Sequence, residues 1–370
     1  MVYGGSGMNG KPVKKVKRIG LMTFLHNENY GSILQAWALQ ETLRGMGFDA
    51  VHIDYAPSKA EKVRNLLLSG NSPRLILEGM RKRSATGKMR GGFDAFRKEN
   101  IRTEGPCHDH GALKQAAGKY DVLVCGSDQI WSPVWLNPAY FLDFAKGPKI
   151  SYAPSLGVQT LPEKRKQRKM ARLLKGFGAV SVRESEGAAL LKQMAGIEAA
   201  VMPDPVILPG RDAWMQLCAG VEVPQEKYIL TYFIGDSPVY WARVKQEAEC
   251  RGAKVLVIPR TEGARNAGYP MAEDVPPQKW LALIAGADLL VTDSFHGATF
   301  AAILNKACTI LRRYREDDPE SKNSRIDQLL RNLNVASLEN PDWVQVNESL
   351  SIQAEKGKKW LLDAISQAAQ

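Results

Sequence analysis

The chain lacks most of the features that announce a function class. In 370 residues no apolar run reaches the roughly 18 needed for a membrane-spanning helix. The first residues, "MVYGGSGMNGKPVKKVKR", contain no signal-peptide apolar stretch, so 1–18 reads as a disordered or appended tail and a cytoplasmic location is expected. Cysteine is scarce. Cys107, Cys125, Cys218, Cys250 and Cys308 fall at no metal-like spacing, and their odd number suits reduced thiols. There is no GxxxxGK[ST], HExxH or GxSxG, no short-period repeat and no low-complexity tract. "GMGFDA" at 45–50 and "GFGAV" at 176–180 resemble dinucleotide fingerprints, but each sits between a helix and a strand, where a helix terminus is the better reading. His108, Asp109 and His110 are adjacent in a loop and make a poor chelating face, so no metal site is expected. Aromatic residues do not interleave with the basic runs, and no helix-turn-helix, zinc-finger or RNP-like pattern occurs, so nucleic acid is not expected as a partner.

What is present begins with charge. The net charge is +11, concentrated in the N-terminal tail, in 59–102 ("MRKRSATGKMR") and in 161–175 ("LPEKRKQRKMARLLK"). These runs read first as solvated helix faces. Their second use would be peripheral contact with an anionic membrane or with acidic sugars.

Short apolar, β-branched runs alternate with helical patterns. Strands are expected at 19–25, 50–55, 121–125, 149–153, 179–183 and 200–207, then at 228–234, 254–258, 288–292 and 307–311. Helices fit 31–46, 164–176, 185–195, 238–251, 278–285, 297–305, 324–333 and 351–370. Alternation with near-continuous apolar strands predicts parallel sheets covered on both faces. Ten strands exceed a usual sheet of about five or six, which predicts two Rossmann-like domains. The expected first domain is 19–215, with a basic helical insertion at 57–118. The second is 216–370, with a terminal helix, and the crossing falls near 209–226.

Ligands of open parallel sheets bind outside the carboxyl ends of the strands. There the sequence places "HNENYGS" after 19–25, "GSDQIW" after 121–125, "RES" after 179–183, "PR" after 254–258, "DSFHG" after 288–292 and "RRYR" after 307–311. Each residue has a bland use: Asp128 or Asp293 as an N-cap, Gly126 or Gly297 as a turn glycine, His296 as a structural histidine. The coincidence of an imidazole, arginines, carboxamides and carboxylates at one edge of both halves favours a site. A helix opening near Gly297 offers free N–H groups and a positive dipole end, with Ser294 and His296 beside it, which suits a phosphate or carboxylate. Arg183, Arg260, Arg312 and Arg313 are fork-shaped candidates for such oxyanions. Glu184 beside Arg183 leaves a structural ion pair as its alternative use.

Together these stretches resemble the polysaccharide pyruvyl transferase family. The matching pieces are "HNENYGSILQAWALQETLRGMG" at 26–47, "YDVLVCGSDQIWSP" at 120–133, "ISYAPSLG" at 150–157 and "AVSVRESEGAALLK" at 179–192. They continue with "VMPDPVILPGRDAW" at 201–214, "VTDSFHGATFAAI" at 291–303 and "NSRIDQLL" at 323–330. The resemblance implies a GT-B-like fold, two Rossmann-like domains facing across a cleft. It implies transfer of pyruvate from phosphoenolpyruvate to two hydroxyls of one sugar, forming a cyclic ketal and releasing phosphate, with no cofactor and no metal. His296 and Asp128 are the implied catalytic residues. Arg183, Arg260, Ser294, Gly297 and Arg312 are implied for the donor, and Asn29, Tyr30 and Gln129 for a sugar or lipid-linked oligosaccharide acceptor. Two other functions share the pattern: a GT-B glycosyltransferase using a nucleotide sugar, and a non-enzymatic module that binds anions or membranes.

Overall fold

A computed structural model of the chain describes residues 16–69, 90–314 and 323–370. The expectations for 1–15 and for the basic run at 80–89 lie outside the described residues. Two parallel sheets carry the fold. The first contains β1 (Arg18–Met22), β2 (Asp49–Tyr55), β3 (Thr103–Cys107), β4 (Val122–Cys125), β5 (Lys149–Ser151), β6 (Ala179–Val182) and β7 (Ala200–Val201). They are ordered β3-β2-β1-β4-β5-β6-β7. The second contains β8 (Tyr228–Tyr232), β9 (Lys254–Ile258), β10 (Leu289–Thr292) and β11 (Cys308–Ile310), ordered β11-β10-β8-β9. Every strand pair is parallel. Strands such as "VLVC" and "LLVT" are buried along their whole length because helices cover both faces.

The ten expected strands are all occupied, with two differences. The run 200–207 forms a strand only at Ala200–Val201. Pro203 and Pro205 remove ladder donors there, and Pro205–Ile207 becomes a 3-10 turn capped by Asp204. The segment 57–118 is not purely helical. It holds α2 (Lys59–Ser69), α3 (Arg90–Asn100) and α4 (His110–Ala117), but also β3. That strand, "TEGPC", has little apolar character and tolerates Pro106 because it is an edge.

Helix α1 (Tyr30–Gly45) follows β1 and is buried around most of its circumference. It lies in the seam between the sheets. Tyr30 stacks on Trp280 with ring centroids 4.9 Å apart, and Trp37 packs on Trp214 at 4.6 Å. Trp280 belongs to α10 (Pro277–Gly286), and Trp214 to α7 (Arg211–Leu217), which occupies the expected crossing at 209–226. Phe300, on α11 (Phe295–Ile303), meets both tryptophans edge-on. A fully buried phenylalanine such as this stabilises the fold by about 1.5–3 kcal/mol. Phe93 and Phe96 of α3 join the same core, so the basic segment is wedged into the seam and does not merely decorate the first sheet.

Four further helices complete the covering layers: α5 (Lys164–Leu174), α6 (Ser185–Ala195), α8 (Pro238–Arg251) and the short α9 (Glu262–Arg265). Beyond β11 come α12 (Ser324–Leu333) and α13 (Trp343–Ala368). The last helix starts earlier than the periodicity suggests, because Asp342 caps it by accepting from Val344 N and Gln345 N. It does not stay with the second sheet. Val346, Leu350 and Ala354 enter the seam core, whereas Leu361, Ala364 and Ile365 pack with Ile19, Leu21, Val122 and Val124 of the first sheet.

Candidate active site

Strand order reverses between β1 and β4 in the first sheet and between β8 and β10 in the second. Such switch points open a crevice at the carboxyl ends. The loops leaving those four strands carry most of the residues singled out in the sequence.

On the first-sheet side the loop after β4 makes a sharp turn. Gly126 has φ 132°, the Gly126–Ser127 peptide is cis, and Asp128 is left-handed at φ 63°. A Cβ at Gly126 would lie 1.9 Å from the Tyr152 carbonyl oxygen, so only glycine fits. Helix α1 holds this turn in place. Gln35, fully buried, accepts from Ser127 N at 2.8 Å, and Thr23 Oγ1 donates to Ser127 O at 3.2 Å. The Asp128 carboxylate accepts from Ser32 Oγ and from Gln129 N, the latter at 2.8 Å. Asn29 caps α1 by accepting from Ser32 N at 3.3 Å, and remains exposed.

On the second-sheet side Asp293 ties loops together. Its carboxylate accepts from Ile234 N and Gly235 N, both at 2.7 Å, and from Arg313 Nε at 2.9 Å. Ser294 then caps α11, accepting from Gly297 N at 3.2 Å. In an α-helix the N–H groups of Phe295 and His296 have no intrahelical acceptor. They and the dipole make this end attractive to an anion.

The two sides meet at His296. Its ring lies against Gly31, where a Cβ would fall 2.0 Å from Nδ1. The next residue, Ser32, holds Asp128. His296 Nε2 is 3.3 Å from Asp204 Oδ2, a close contact without an aligned hydrogen bond. Arg183 Nη1 donates to the same oxygen at 2.5 Å, its Nε donates to Glu184 at 3.0 Å, and its guanidinium sits 4.9 Å over the Phe295 ring. Arg325 Nε lies 3.3 Å from Glu184 Oε1, and its Nη2 donates to Ser155 Oγ at 3.3 Å. Arg183, Glu184, Asp204 and Arg325 are all buried, whereas His296 is partly exposed. Burial opposes the charge on Asp204, but His296 and Arg183 override it and hold the carboxyl well below the usual range. Burial likewise opposes the charge on Arg183, and Glu184 and Asp204 more than compensate. Arg325 goes the other way: burial, aided by Arg183 and only partly offset by Glu184, lowers its affinity for the proton.

The sequence-derived candidates therefore divide. His296, Asp128, Arg183, Ser294 and Gln129 come together, with Asn29 at the rim. Arg260 reaches the same rim, where its Nη2 donates to Glu28 O at 2.9 Å and fastens the loop before Asn29. Three are placed otherwise. Tyr30 is fully buried, with its hydroxyl donating to Val275 O at 2.8 Å, so it seals the seam and has no surface for a sugar. Arg312 is exposed and pairs with Asp327 at 2.6 Å. The space over Gly297 is filled by Thr292 Oγ1, 2.9 Å from where a Cβ would be, so this glycine serves packing of α11 on β10 and not ligand approach.

Asp204, Arg325 and Ser32 were not singled out from the sequence, and Glu184 was read there only as a structural partner of Arg183, a pair the structure contains. Asp204 stands between two prolines, which signals only a turn. Among the described residues no group of three or more His, Cys, Asp or Glu side chains is arranged to hold a metal ion.

A family-level match to polysaccharide pyruvyl transferase runs over residues 29–313, most of the chain. No protein with a curated description matches significantly. Among solved structures the chain is similar to UDP-GlcNAc 2-epimerase from Neisseria meningitidis bound to UDP-GlcNAc, at 10% identity and TM-score 0.51 over 94% of this chain and 99% of that one. It is also similar to MnaA of S. aureus with UDP, at 9% identity and TM-score 0.50 over 96% of this chain and 91% of that one. At such identities the likeness speaks for the fold alone: two Rossmann-like units facing across a cleft, the GT-B arrangement.

Proposed function

Because the chain belongs to the polysaccharide pyruvyl transferase family, we propose that it transfers pyruvate from phosphoenolpyruvate to two hydroxyls of one sugar in a surface glycan or its precursor. The product is a cyclic ketal, and phosphate is released.

The observation that carries this reading is the imidazole of His296 at the α11 N-terminus, backed by Asp204 and Arg183 and one residue removed from the Asp128 contact. In the proposed course the phosphate lies against the N–H groups of Phe295 and His296, with Ser294 fixing that end. Arg325 supplies positive potential for the donor carboxylate, Arg183 holds Asp204 beside His296, and Arg260 lines the mouth. His296 delivers a proton to the methylene carbon of the enol phosphate. Positive charge develops on the adjacent carbon, and the first sugar hydroxyl attacks there while Asp128 takes its proton. The C–O bond to phosphate breaks, and the second hydroxyl closes the ring. Of the two hydroxyl protons, one replaces that spent on the methyl group and the other leaves with phosphate. Gln129 and Asn29 are placed to orient the acceptor.

The test is phosphate release from phosphoenolpyruvate across a panel of polysaccharide repeat units and lipid-linked sugars. Release that depends on both substrates is expected, with a ketal methyl signal in the product. Saturable binding of a nucleotide sugar without any response to phosphoenolpyruvate would replace this reading with glycosyl transfer.

No helix among the described residues is long and apolar enough to cross a membrane. Helix α5 offers a basic surface instead. Lys164, Arg168, Arg172 and Lys175 border one groove together with Gln167, Ala171 and Met194. No ion pair links these four to another described residue. The reading therefore includes peripheral contact of α5 with an anionic membrane on its cytoplasmic face, where a lipid-linked acceptor would be presented.

A further inference from the structure

The loop that carries Asp128 and Gln129 also carries two tryptophans with opposite fates. Trp131 is fully buried, stacked on Phe141 at 5.1 Å, with Nε1 donating to Tyr140 O at 3.0 Å. Trp135 is 46% exposed and its neighbour Val134 50% exposed. Trp135 is the only tryptophan or phenylalanine so exposed among the described residues. It is not loose. Its Nε1 donates to Gln129 O at 3.1 Å, and the same oxygen accepts from Ser132 N at 3.2 Å. The polar edge of the indole is thus satisfied inside the loop, and what remains for solvent is hydrocarbon face. Gln129 links this ring to the site. Its backbone N–H donates to Asp128, and its side-chain oxygen lies 2.7 Å from where a Cβ of Gly157 would be, in the same place that Arg325 Nη2 approaches to 3.2 Å.

A flat, exposed apolar ring fixed to the backbone of Gln129, on the same loop as the Asp128 carboxylate, matches one ligand class well. A pyranose presents C–H bonds on its faces and hydroxyls around its rim. A face can lie on an indole while the rim hydroxyls reach polar groups. We propose that Trp135 is the stacking platform for the acceptor sugar, an inference that rests on the proposed acceptor being a sugar. It is expected to set acceptor affinity and ring orientation, with no part in donor binding.

The test uses the full chain and its W135A, W135F and W135L variants. Binding of methyl glycosides of the common hexoses and N-acetylhexosamines is followed by saturation-transfer NMR, and phosphate release from phosphoenolpyruvate by kinetics. Aromatic stacking of about 0.5–1.5 kcal/mol corresponds to as much as roughly tenfold in affinity. W135A should raise the dissociation constant and the acceptor KM by a factor of that size, leaving kcat and the half-saturation for phosphoenolpyruvate in place. W135F should keep most of the affinity and W135L should lose it, since leucine is apolar without being planar. The F/L comparison, made at matched Tm, separates stacking from loss of folding. Equal affinity of W135L and W135F, unchanged binding by W135A, or wild-type protein that binds no glycoside of the panel would overturn the proposal. Wild-type protein that binds glycosides through Trp135 but releases no phosphate would keep the platform and retire the reaction. Phosphate release with an unaltered acceptor KM in W135A would do the reverse.

Discussion

Arg183 and Asp204 are locked at 2.5 Å, and the carboxylate oxygen they share lies 3.3 Å from the His296 imidazole. Asp204 therefore meets a guanidinium and an imidazole, one from each side of the seam: Arg183 follows β6, and His296 lies in the first turn of α11. This contact holds the ring against Gly31 of α1, and Arg183, engaged by Asp204 and Glu184, is placed to hold Asp204 and not to meet a donor directly.

That arrangement changes what substitutions should do. Arg183→Ala leaves Asp204 and one face of Glu184 as buried carboxylates without their guanidinium. Removing one partner of a buried pair costs about 3–5 kcal/mol. Lower Tm and poor soluble yield are expected, more than a simple rise in KM. Asp204→Asn should be milder for the fold and severe for turnover, since the imidazole loses its anchor. Urea denaturation and turnover measured on the same preparations check both. Turnover of Asp204→Asn within twofold of wild type would remove Asp204 from the mechanism.

Gly31 offers a way to perturb His296 without touching it. Gly31→Ala puts a methyl group 2.0 Å from the present position of Nδ1, and alanine favours helix over glycine by about 1 kcal/mol. The substitution should leave α1 intact and push the ring away. His296→Ala is expected to lower turnover by roughly 10²–10⁴-fold, the usual contribution of a positioned proton-transfer group. Gly31→Ala should give much of the same loss at near-native Tm. Full activity in Gly31→Ala would mean that the ring position is unimportant.

Buried His52 predicts a pH dependence away from the site. Its Nε2 donates to Ala36 O at 2.9 Å, and burial pulls its pKa down to about 4. The fold keeps the ring neutral, whereas the unfolded chain takes up a proton below about pH 6.5. Stability is thus fully present above pH 6.5 and declines as pH falls toward 4. The limiting slope is about 1.4 kcal/mol per pH unit, roughly 3 kcal/mol in all. His52→Leu removes this term. Unfolding free energies at pH 7.5 and 4.5 should fall less in the variant than in wild type, and equal falls would refute the assignment.

The α5 surface predicts salt-sensitive lipid binding. Arg168→Glu together with Arg172→Glu should abolish sedimentation with phosphatidylglycerol vesicles at low salt, with turnover on a soluble acceptor unchanged. Wild-type protein that stays in the supernatant with such vesicles would remove the membrane clause from the proposed function.

What was legible in the sequence follows from what hydrophobic patterning encodes. Central parallel strands such as "VLVC" and "YILTY" are apolar throughout because both faces are covered, so their positions stood out. The edge strand β3 did not, since "TEGPC" needs only its neighbour's hydrogen bonds and not a core face. His296, Asp128 and Arg183 were legible because they end such strands at a predictable edge. Asp204 and Arg325 were not. Their importance comes from a pairing across 21 residues in one case and from a helix-first-turn guanidinium reaching Glu184 in the other. Tyr30 misled in the opposite direction. A polar aromatic in a loop-like motif suggested a ligand contact, but the residue begins α1, and the seam against Trp280 claims it.

The path of α13 bears on how the protein is made. The strands of the first sheet are all encoded before residue 202, yet Leu361, Ala364 and Ile365 complete the core on Ile19 and Val122. At a synthesis rate of about 5–20 residues per second, the wait between the last strand and its covering helix is on the order of ten seconds. Throughout it, Leu39, Leu43 and Leu208 already pack on that face of the sheet, but the portion that α13 covers stays open on the ribosome. The N-terminal half completes its core only after the rest of the chain has been made. Chaperone occupancy during translation should concentrate on that face until the final helix emerges.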